Sequence, residues 1–275
     1  MLDQLMIKKA LISYLKILRF KFINILQWRT ELVIWILLDI LPFSIMIFVW
    51  KAIFGENVEI QQTSFSDVVL FYFLVIIIQG LTSVHFEEYR PTEIRMGRID
   101  FFLVKPYSYL KELVVNDVAA KFLFIILFTP VMILFYRYLS LFTPFSLPNL
   151  NLSHWLAFIT LLFIAYLLQL LLSMLITLSA FWLEGASGLS HFKWLSISLL
   201  SGALIPLPLM PEWLRTLTLA LPFKVFYALP IFVIQDATLP TMADWLMVSL
   251  SVITLYMTVL FVWKKGVKHY ASAGG

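Results

Sequence analysis

Long apolar runs alternate with short polar segments along this chain, and six of the runs approach the length of a membrane span. A helix needs about 20 apolar residues to cross a hydrocarbon core of roughly 30 Å. The predicted spans cover residues 32–54, 67–84, 113–136, 153–183, 192–209 and 243–263. The pattern therefore predicts an all-α integral membrane protein with six transmembrane helices in a single domain of residues 1–275.

A different pattern precedes the first span, within residues 1–31. Apolar residues recur there at spacings of three and four, while Lys8, Lys9, Lys16 and Arg19 gather on another face. A helix of this kind lies along the membrane interface with its apolar side down. The alternative, in which this segment crosses the membrane, is disfavoured because four cations would enter hydrocarbon.

The distribution of charge predicts the orientation of the chain. Only 13% of the residues are charged, against roughly 25% in soluble domains, and most of the basic ones would lie on one side of the membrane. These are Lys8, Lys9, Lys16, Arg19, Lys21, Arg29, Arg90, Arg95, Arg98, Lys105, Lys111, Lys193, Lys264, Lys265 and Lys268. By the positive-inside rule, both termini are cytoplasmic in a multi-pass protein of the plasma (inner) membrane.

Several kinds of chemistry are excluded. The chain has no cysteine, no G-x-x-x-x-G-K-[ST] loop for nucleotide phosphates, and no histidines or acids at metal-ligand spacing. GASG at residues 185–188 matches the motif of intramembrane serine proteases, but no histidine lies at membrane depth to activate Ser187. We predict no enzyme activity, no metal, no cofactor on this chain and no nucleic-acid partner.

Asp39 and Asp117 lie in the interior of predicted spans. Asp39 in the first span costs about 2.5–3.5 kcal/mol on insertion scales, so it calls for an explanation. In one interpretation it lines a translocation path or binds a proton; in the other it packs at a helix or subunit interface. Asp117 and Lys121 in the third span are one helical turn apart, and we predict that they pair with each other.

The loop between the second and third spans, residues 85–111, carries an unusual amount of charge. Topology explains its five cations but not its acids, which are Glu87, Glu88, Glu93 and Asp100. Gly97 permits a sharp turn, and Phe101, Phe102 and Leu103 offer apolar anchors. We therefore predict that this loop contacts a soluble partner through charged hydrogen bonds.

Three stretches carry a resemblance that covers almost the whole chain. They read EEYRPTEIRMGRIDFFLVKPYSYL, SGALIPLPLMPEWLRTLTLALPFKVFYALP and GVKHYASAGG. Together with the six predicted spans, they resemble permease subunits of ABC-2 type exporters, in the branch where two related permeases accompany a separate ATPase.

The resemblance implies a coupling helix within residues 85–111 that docks into a groove of a cytoplasmic ABC ATPase. The docking residues that it implies are Glu93, Arg95, Gly97, Arg98, Asp100, Lys105 and Pro106. It also implies two ATPase copies, which bind ATP and Mg²⁺, and a second permease that is identical or a related paralogue. This chain would then catalyse no covalent step.

The same resemblance implies an external re-entrant hairpin over residues 206–240. Its turns would lie at Pro206, Pro208, Pro211 and Pro222. Backbone that dips into a membrane is tolerated only when it is buried in protein or next to water. We expect this element to close the outer end of the path.

The alternative function is a secondary carrier or lipid scramblase that uses Asp39. An inverted repeat would support that alternative, and the sequence contains no convincing one. We therefore favour the permease of an ATP-driven exporter. Its mostly apolar interior favours lipids, amphipathic drugs or other hydrophobic molecules as cargo.

Overall fold

The computed structural model describes residues 23, 27, 29–55, 59–60, 63–104, 108–141, 143, 147–185 and 187–270. The helices in this part of the chain are α1 (Arg29–Phe54), α2 (Phe65–Thr82), α3 (Arg90–Arg95), α4 (Asp100–Leu103), α5 (Tyr109–Ser140), α6 (Leu152–Leu178), α7 (Ser187–Leu200), α8 (Glu212–Ala220), α9 (Ala228–Gln235) and α10 (Met242–His269). Strands β1 (Glu59–Ile60) and β2 (Thr63–Ser64) form one short antiparallel pair. The predicted interfacial helix with Lys8, Lys9, Lys16 and Arg19 lies outside the described residues.

Five helices in the described part of the chain are long and apolar enough to cross a membrane. They are α1, α2, α5, α6 with the turn that follows it, and α10. They coincide with the first four predicted spans and the sixth. α1 contains Pro42 and α5 contains Pro130, which membrane helices tolerate because neighbouring groups satisfy the freed backbone. The all-α membrane architecture agrees with the sequence prediction.

The segment predicted as the fifth span, residues 192–209, is not one continuous helix. α7 has 14 residues and ends at Leu200, so it is about 21 Å long, too short to cross a core of roughly 30 Å upright. The chain then turns at Gly202, whose φ is 87° and where a Cβ would lie 2.7 Å from Leu207 Cδ1. The crossing of the membrane by this segment, and hence the total of six spans, stays a prediction.

The chain after α7 runs back into the bundle. The Tyr72 hydroxyl in α2 donates to the Leu204 carbonyl oxygen at 2.8 Å and accepts from Trp50 Nε1 at 2.7 Å. Tyr72 lies seven residues into α2, about 10 Å along its axis at 1.5 Å per residue. The Leu204 carbonyl oxygen therefore lies beside the interior of a candidate span, and Tyr72 supplies its hydrogen bond there. This contact supports the re-entrant course predicted for residues 206–240, which stays a prediction.

The prolines of the predicted hairpin lie at turns and helix starts. Pro206 precedes the 3₁₀ helix Leu207–Leu209, Pro208 lies within it, Pro211 is the N-cap residue of α8, and Pro222 begins the 3₁₀ helix Pro222–Val225. Proline suits these positions because it fixes φ near −65° and has no N–H to leave unpaired. The segment is thus divided into short helices.

α6 is the central helix of the bundle and packs against α2, α9 and α10. Leu161 and Leu168 belong to one buried apolar cluster, and Leu171 and Leu178 belong to a second. The second cluster includes loop residues between α2 and α5, among them Ile94. The base of that loop is therefore part of the core.

Gly266→Ala is expected to lower the free energy of unfolding by about 1–3 kcal/mol, the usual cost of overpacking. A Cβ at Gly266 in α10 would lie 2.1 Å from Phe181 Cδ2 and 2.8 Å from its Cγ. The Phe181 ring also packs against Trp263 and Tyr270, so it has little room to move. The measurement is the thermal unfolding midpoint in one detergent. Gly188→Ala is the control, because nothing lies within 4 Å there; equal midpoints for the two variants would contradict this packing.

Candidate functional site

The charged loop, residues 85–111, forms two short helices joined by a tight turn. α3 has Pro91 in its first turn, where a backbone N–H has no helical partner, and it ends before Gly97, whose φ is 76°. The Gly97 N–H donates to the Ile94 carbonyl oxygen at 3.2 Å, and the Arg98 N–H donates to that of Glu93 at 3.0 Å. These bonds form a Schellman motif with a left-handed glycine. The turn sets the direction of α4.

A buried ion pair fastens the start of the loop to the bundle. The Lys193 ammonium in α7 donates to the Glu87 carboxylate, and these side chains are 8% and 2% exposed. It also donates to the Val84 carbonyl oxygen at 2.8 Å and to the Ser173 hydroxyl at 2.9 Å. We call this group the anchor.

The distribution of charge places Lys193 on the cytoplasmic side, and the structure shows in addition that its side chain is buried. Its side chain is enclosed by residues that are about 20 and 100 positions away in the sequence. A signal was present, because a lone lysine in an apolar segment usually has a specific partner. The sequence could not identify which acid that partner is.

Glu93 belongs to a second ion pair, with Arg90. Arg90 Nη1 lies 2.6 Å from Glu93 Oε2, and Arg90 Nη2 lies 4.0 Å from Glu112 Oε1. Burial opposes the charge of Arg90, but Tyr89 and Glu93 outweigh it and hold the pKa of the guanidinium above its ordinary value. Glu93 therefore stabilises the inside of the loop, which differs from the docking role that the resemblance implies.

The remaining part of the loop is exposed and mostly apolar. We call it the exposed edge; it consists of Arg95, Arg98 and the side chains of Met96, Phe101, Leu103 and Val104, which are 62%, 54%, 42% and 82% exposed. Apolar side chains presented in this way, next to charges, are typical of a surface that binds another protein. Met96 and Val104 were missed by the sequence analysis, which considered only the charged residues and the aromatic stretch.

The other predicted docking residues differ in position. Asp100 is half-buried in the first turn of α4, beside the hydroxyl of Tyr270, whose pKa is raised to about 12 by burial and by this carboxylate. Lys105 and Pro106 lie outside the described residues. Of the predicted docking residues, Arg95 and Arg98 lie at the exposed edge, and Gly97 forms the turn between α3 and α4.

A cavity of about 670 Å³ opens beside the anchor; its surface is mostly apolar, but several charged side chains line it, and we call it the polar cavity for these groups. Asp39 lines it and accepts a hydrogen bond from Gln79 Nε2 at 3.2 Å. Glu88 also lines it, and a hydrogen bond with His85 holds the pKa of this carboxyl below its ordinary value. Asp39 thus faces a cavity between helices, as one of its two interpretations requires.

Asp117 and Lys121 line the same cavity but bond to separate partners. The Tyr166 hydroxyl donates to Asp117 Oδ2 at 2.7 Å. The Lys121 ammonium donates to the carbonyl oxygens of Gly80 and Ser83, at the end of α2. Asp117 and Lys121 attract each other electrostatically, but their hydrogen bonds go to these tertiary partners and not to the residue one turn away.

Comparison with known proteins identifies one family. A family model described as "ABC-2 family transporter protein" matches residues 40–274. No curated protein and no solved structure gives a significant match. The matched range includes the anchor, the exposed edge and most of the cavity lining, whereas Trp35 and Asp39 precede it.

Proposed function

This chain belongs to the ABC-2 family of transporter proteins, and on that premise we propose that it is the permease subunit of an ATP-driven exporter. It is a multi-pass membrane protein, and the family generally works with an ABC ATPase. The energy for transport comes from that separate chain, which binds ATP and Mg²⁺. The permease contributes the path through the membrane and catalyses no covalent step.

The observation that carries this proposal is the contrast between the two halves of the charged loop. The inner half is fastened by the buried Glu87–Lys193 and Arg90–Glu93 pairs. The exposed edge combines two arginines with four exposed apolar side chains. A rigid base with an apolar, cationic outer surface suits docking to a soluble subunit, because pre-organisation reduces the entropy lost on binding.

The anchor connects the docking loop to the helix that borders the cavity, so it can transmit a movement of the loop to the translocation path. Lys193 lies on α7, and its neighbour Trp194 lines the polar cavity. A displacement of the loop by the ATPase would therefore move α7 through a buried ion pair. ATP binding would close two ATPase copies, push the loops and reshape the cavity between this chain and a second permease, identical or paralogous.

The proposed orientation follows the positive-inside rule. The charged loop and both termini face the cytoplasm, in the plasma (inner) membrane. The segment 206–240 then lies at the outer end, where its short helices close the path. The contact between Tyr72 and Leu204 supports this arrangement because it satisfies backbone beside the interior of a candidate span.

The second candidate is a secondary carrier or lipid scramblase. The observation that favours it is Asp39, an acid in a membrane helix that faces a cavity. This candidate leaves the exposed edge without a role. The measurement is transport by the reconstituted complex. Transport that needs ATP and persists without an ion gradient would exclude the secondary carrier. A transport rate that follows the proton gradient would support it.

Arg98→Glu is expected to reduce recovery of the ATPase about 10- to 150-fold. The reason is the loss of one charged hydrogen bond, which costs about 1.5–3 kcal/mol, and each 1.4 kcal/mol changes a binding constant about tenfold. The measurement is co-purification from cells that express both subunits, in one detergent, normalised to membrane-inserted permease. Arg215→Glu, an exposed cation of α8, is the control and should leave recovery unchanged. Normal recovery with Arg98→Glu and Asp100→Arg alike would contradict docking at this edge.

A further inference from the structure

The polar cavity has the size of a binding site for an organic molecule. Its volume is about 670 Å³, within the range of roughly 300–1,000 Å³ that holds drug-sized ligands. It lies between α1, α2, α5 and α7, and it is lined by both polar groups and aromatic rings. The hydrogen-bonding capacity of its wall indicates which chemistry fits there.

The hydrogen-bond donors of the cavity lysines are mostly consumed by the protein. An ammonium group has three N–H donors. Those of Lys193 bond to Glu87 Oε1, the Val84 carbonyl oxygen and the Ser173 hydroxyl, and two of those of Lys121 bond to carbonyl oxygens of α2 and its C-cap region. Little cationic capacity is left for an anion.

Acceptors, by contrast, are left over. Glu87 Oε2 has no hydrogen-bond partner among the described residues, but it is closed off from solvent and therefore lies out of reach of a ligand in the cavity. Within the same part of the chain, Asp39 receives one hydrogen bond, from Gln79, although a carboxylate offers about four acceptor sites. A ligand that brings hydrogen-bond donors would therefore bond to the free acceptor sites of Asp39.

The net charge of the cavity wall also favours a cationic ligand. The carboxylates that line the cavity are Asp39, Glu87, Glu88 and Asp117, and the ammonium groups are Lys121 and Lys193. The wall is therefore formally anionic while its histidines are neutral. Trp35 and Trp194, which are 52% and 59% exposed, add aromatic surfaces that attract cations.

We propose that this cavity binds an organic cation, in which an ammonium or guanidinium group is attached to an apolar or aromatic body. The cationic group pairs with Asp39, and the apolar body packs against Trp35 and Trp194. This inference rests on the proposed function, because it makes such cations the class of cargo that the permease carries. The sequence favours hydrophobic or amphipathic molecules as cargo, and this proposal restricts that class to molecules with a positive charge.

A bare metal ion fits the cavity less well. Ca²⁺ takes six to eight oxygen ligands and Mg²⁺ needs near-octahedral geometry. The described residues contain no group of three or more histidines or acids that could hold a metal ion. Aromatic rings beside a few carboxylates are typical instead of sites for organic ammonium groups.

The test compares two small probes of matched shape and opposite charge, 4-phenylbutylammonium and 5-phenylpentanoate. Binding is measured by equilibrium dialysis with the full chain in nanodiscs of neutral phosphatidylcholine, with empty nanodiscs subtracted. We expect the ammonium to bind at least about tenfold more tightly than the carboxylate, which corresponds to about 1.4 kcal/mol. Tighter or equal binding of the carboxylate, or no saturable binding of the ammonium, would overturn the proposal.

Two variants assign the binding to the cavity. Asp39→Asn keeps the side-chain shape and is expected to weaken ammonium binding at least about tenfold, while Asp39→Glu should restore most of it. Asp236→Asn, an exposed acid after α9, is the control. If Asp39→Asn binds the ammonium as the wild type does, the site is elsewhere and the proposal is wrong.

The outcome is separable from that of the proposed function, because dialysis uses neither ATP nor the ATPase. The same dialysis is repeated with the co-purified complex. Normal ATPase recovery without ammonium binding would leave the subunit assignment intact and exclude organic cations as cargo. Ammonium binding without any ATPase partner would support the site and contradict the ATP-driven exporter.

Discussion

Lys193→Met is expected to lower the free energy of unfolding by about 3–5 kcal/mol, the usual cost of leaving a buried charge unpaired. Its partner Glu87 is 2% exposed, and one of the Glu87 oxygens already has no hydrogen-bond partner among the described residues. Without the ammonium, the carboxylate would have to stay charged in a dry site or take up a proton. The measurement is the thermal unfolding midpoint of the full chain in one detergent.

The double variant Lys193→Met/Glu87→Gln shows whether the loss of stability comes from the unpaired carboxylate or from altered packing. Replacing both partners of a buried ion pair is often neutral or stabilising, so the double variant should be more stable than Lys193→Met alone. Lys264→Met, an exposed cation of α10, is the control and should leave the midpoint within error. A midpoint of Lys193→Met equal to that of the control would contradict the burial of this pair.

Gly97→Pro is expected to abolish recovery of the ATPase while the permease still inserts into the membrane. Gly97 has a φ of 76°, whereas proline fixes φ near −65° and cannot donate to the Ile94 carbonyl oxygen. Proline also disfavours the helical conformation of the preceding residue, and Met96 has φ −77° and ψ 5°. The Schellman turn would be lost, and with it the direction of α4 and of the exposed edge.

Two milder substitutions calibrate this effect. Gly97→Ala keeps the N–H but costs about 1–2 kcal/mol in the left-handed conformation, so ATPase recovery should fall to an intermediate level. Gly185→Ala, where nothing lies within 4 Å of an added Cβ, should have no effect. Co-purification is scored against the amount of inserted permease, and full recovery with Gly97→Pro would exclude the turn as a docking element.

The sequence by itself determined the features that depend on local composition. Apolar runs predicted the positions of α1, α2, α5, α6 and α10, because the bilayer selects helices by length and hydropathy regardless of their neighbours. The turn at Gly97 was predicted as well, since glycine adopts positive φ without steric cost. The family resemblance, carried by whole stretches of sequence, was confirmed by the match over residues 40–274.

The tertiary structure decided which partner each charged or polar group takes. Lys193 pairs with Glu87, 106 positions away, and Lys121 bonds to carbonyl oxygens near the end of α2 while the adjacent Asp117 bonds to Tyr166. α7 ends at Leu200, although apolar residues continue beyond it. These outcomes depend on contacts between segments that are distant in the chain, and periodicity, spacing and composition describe only neighbours along it.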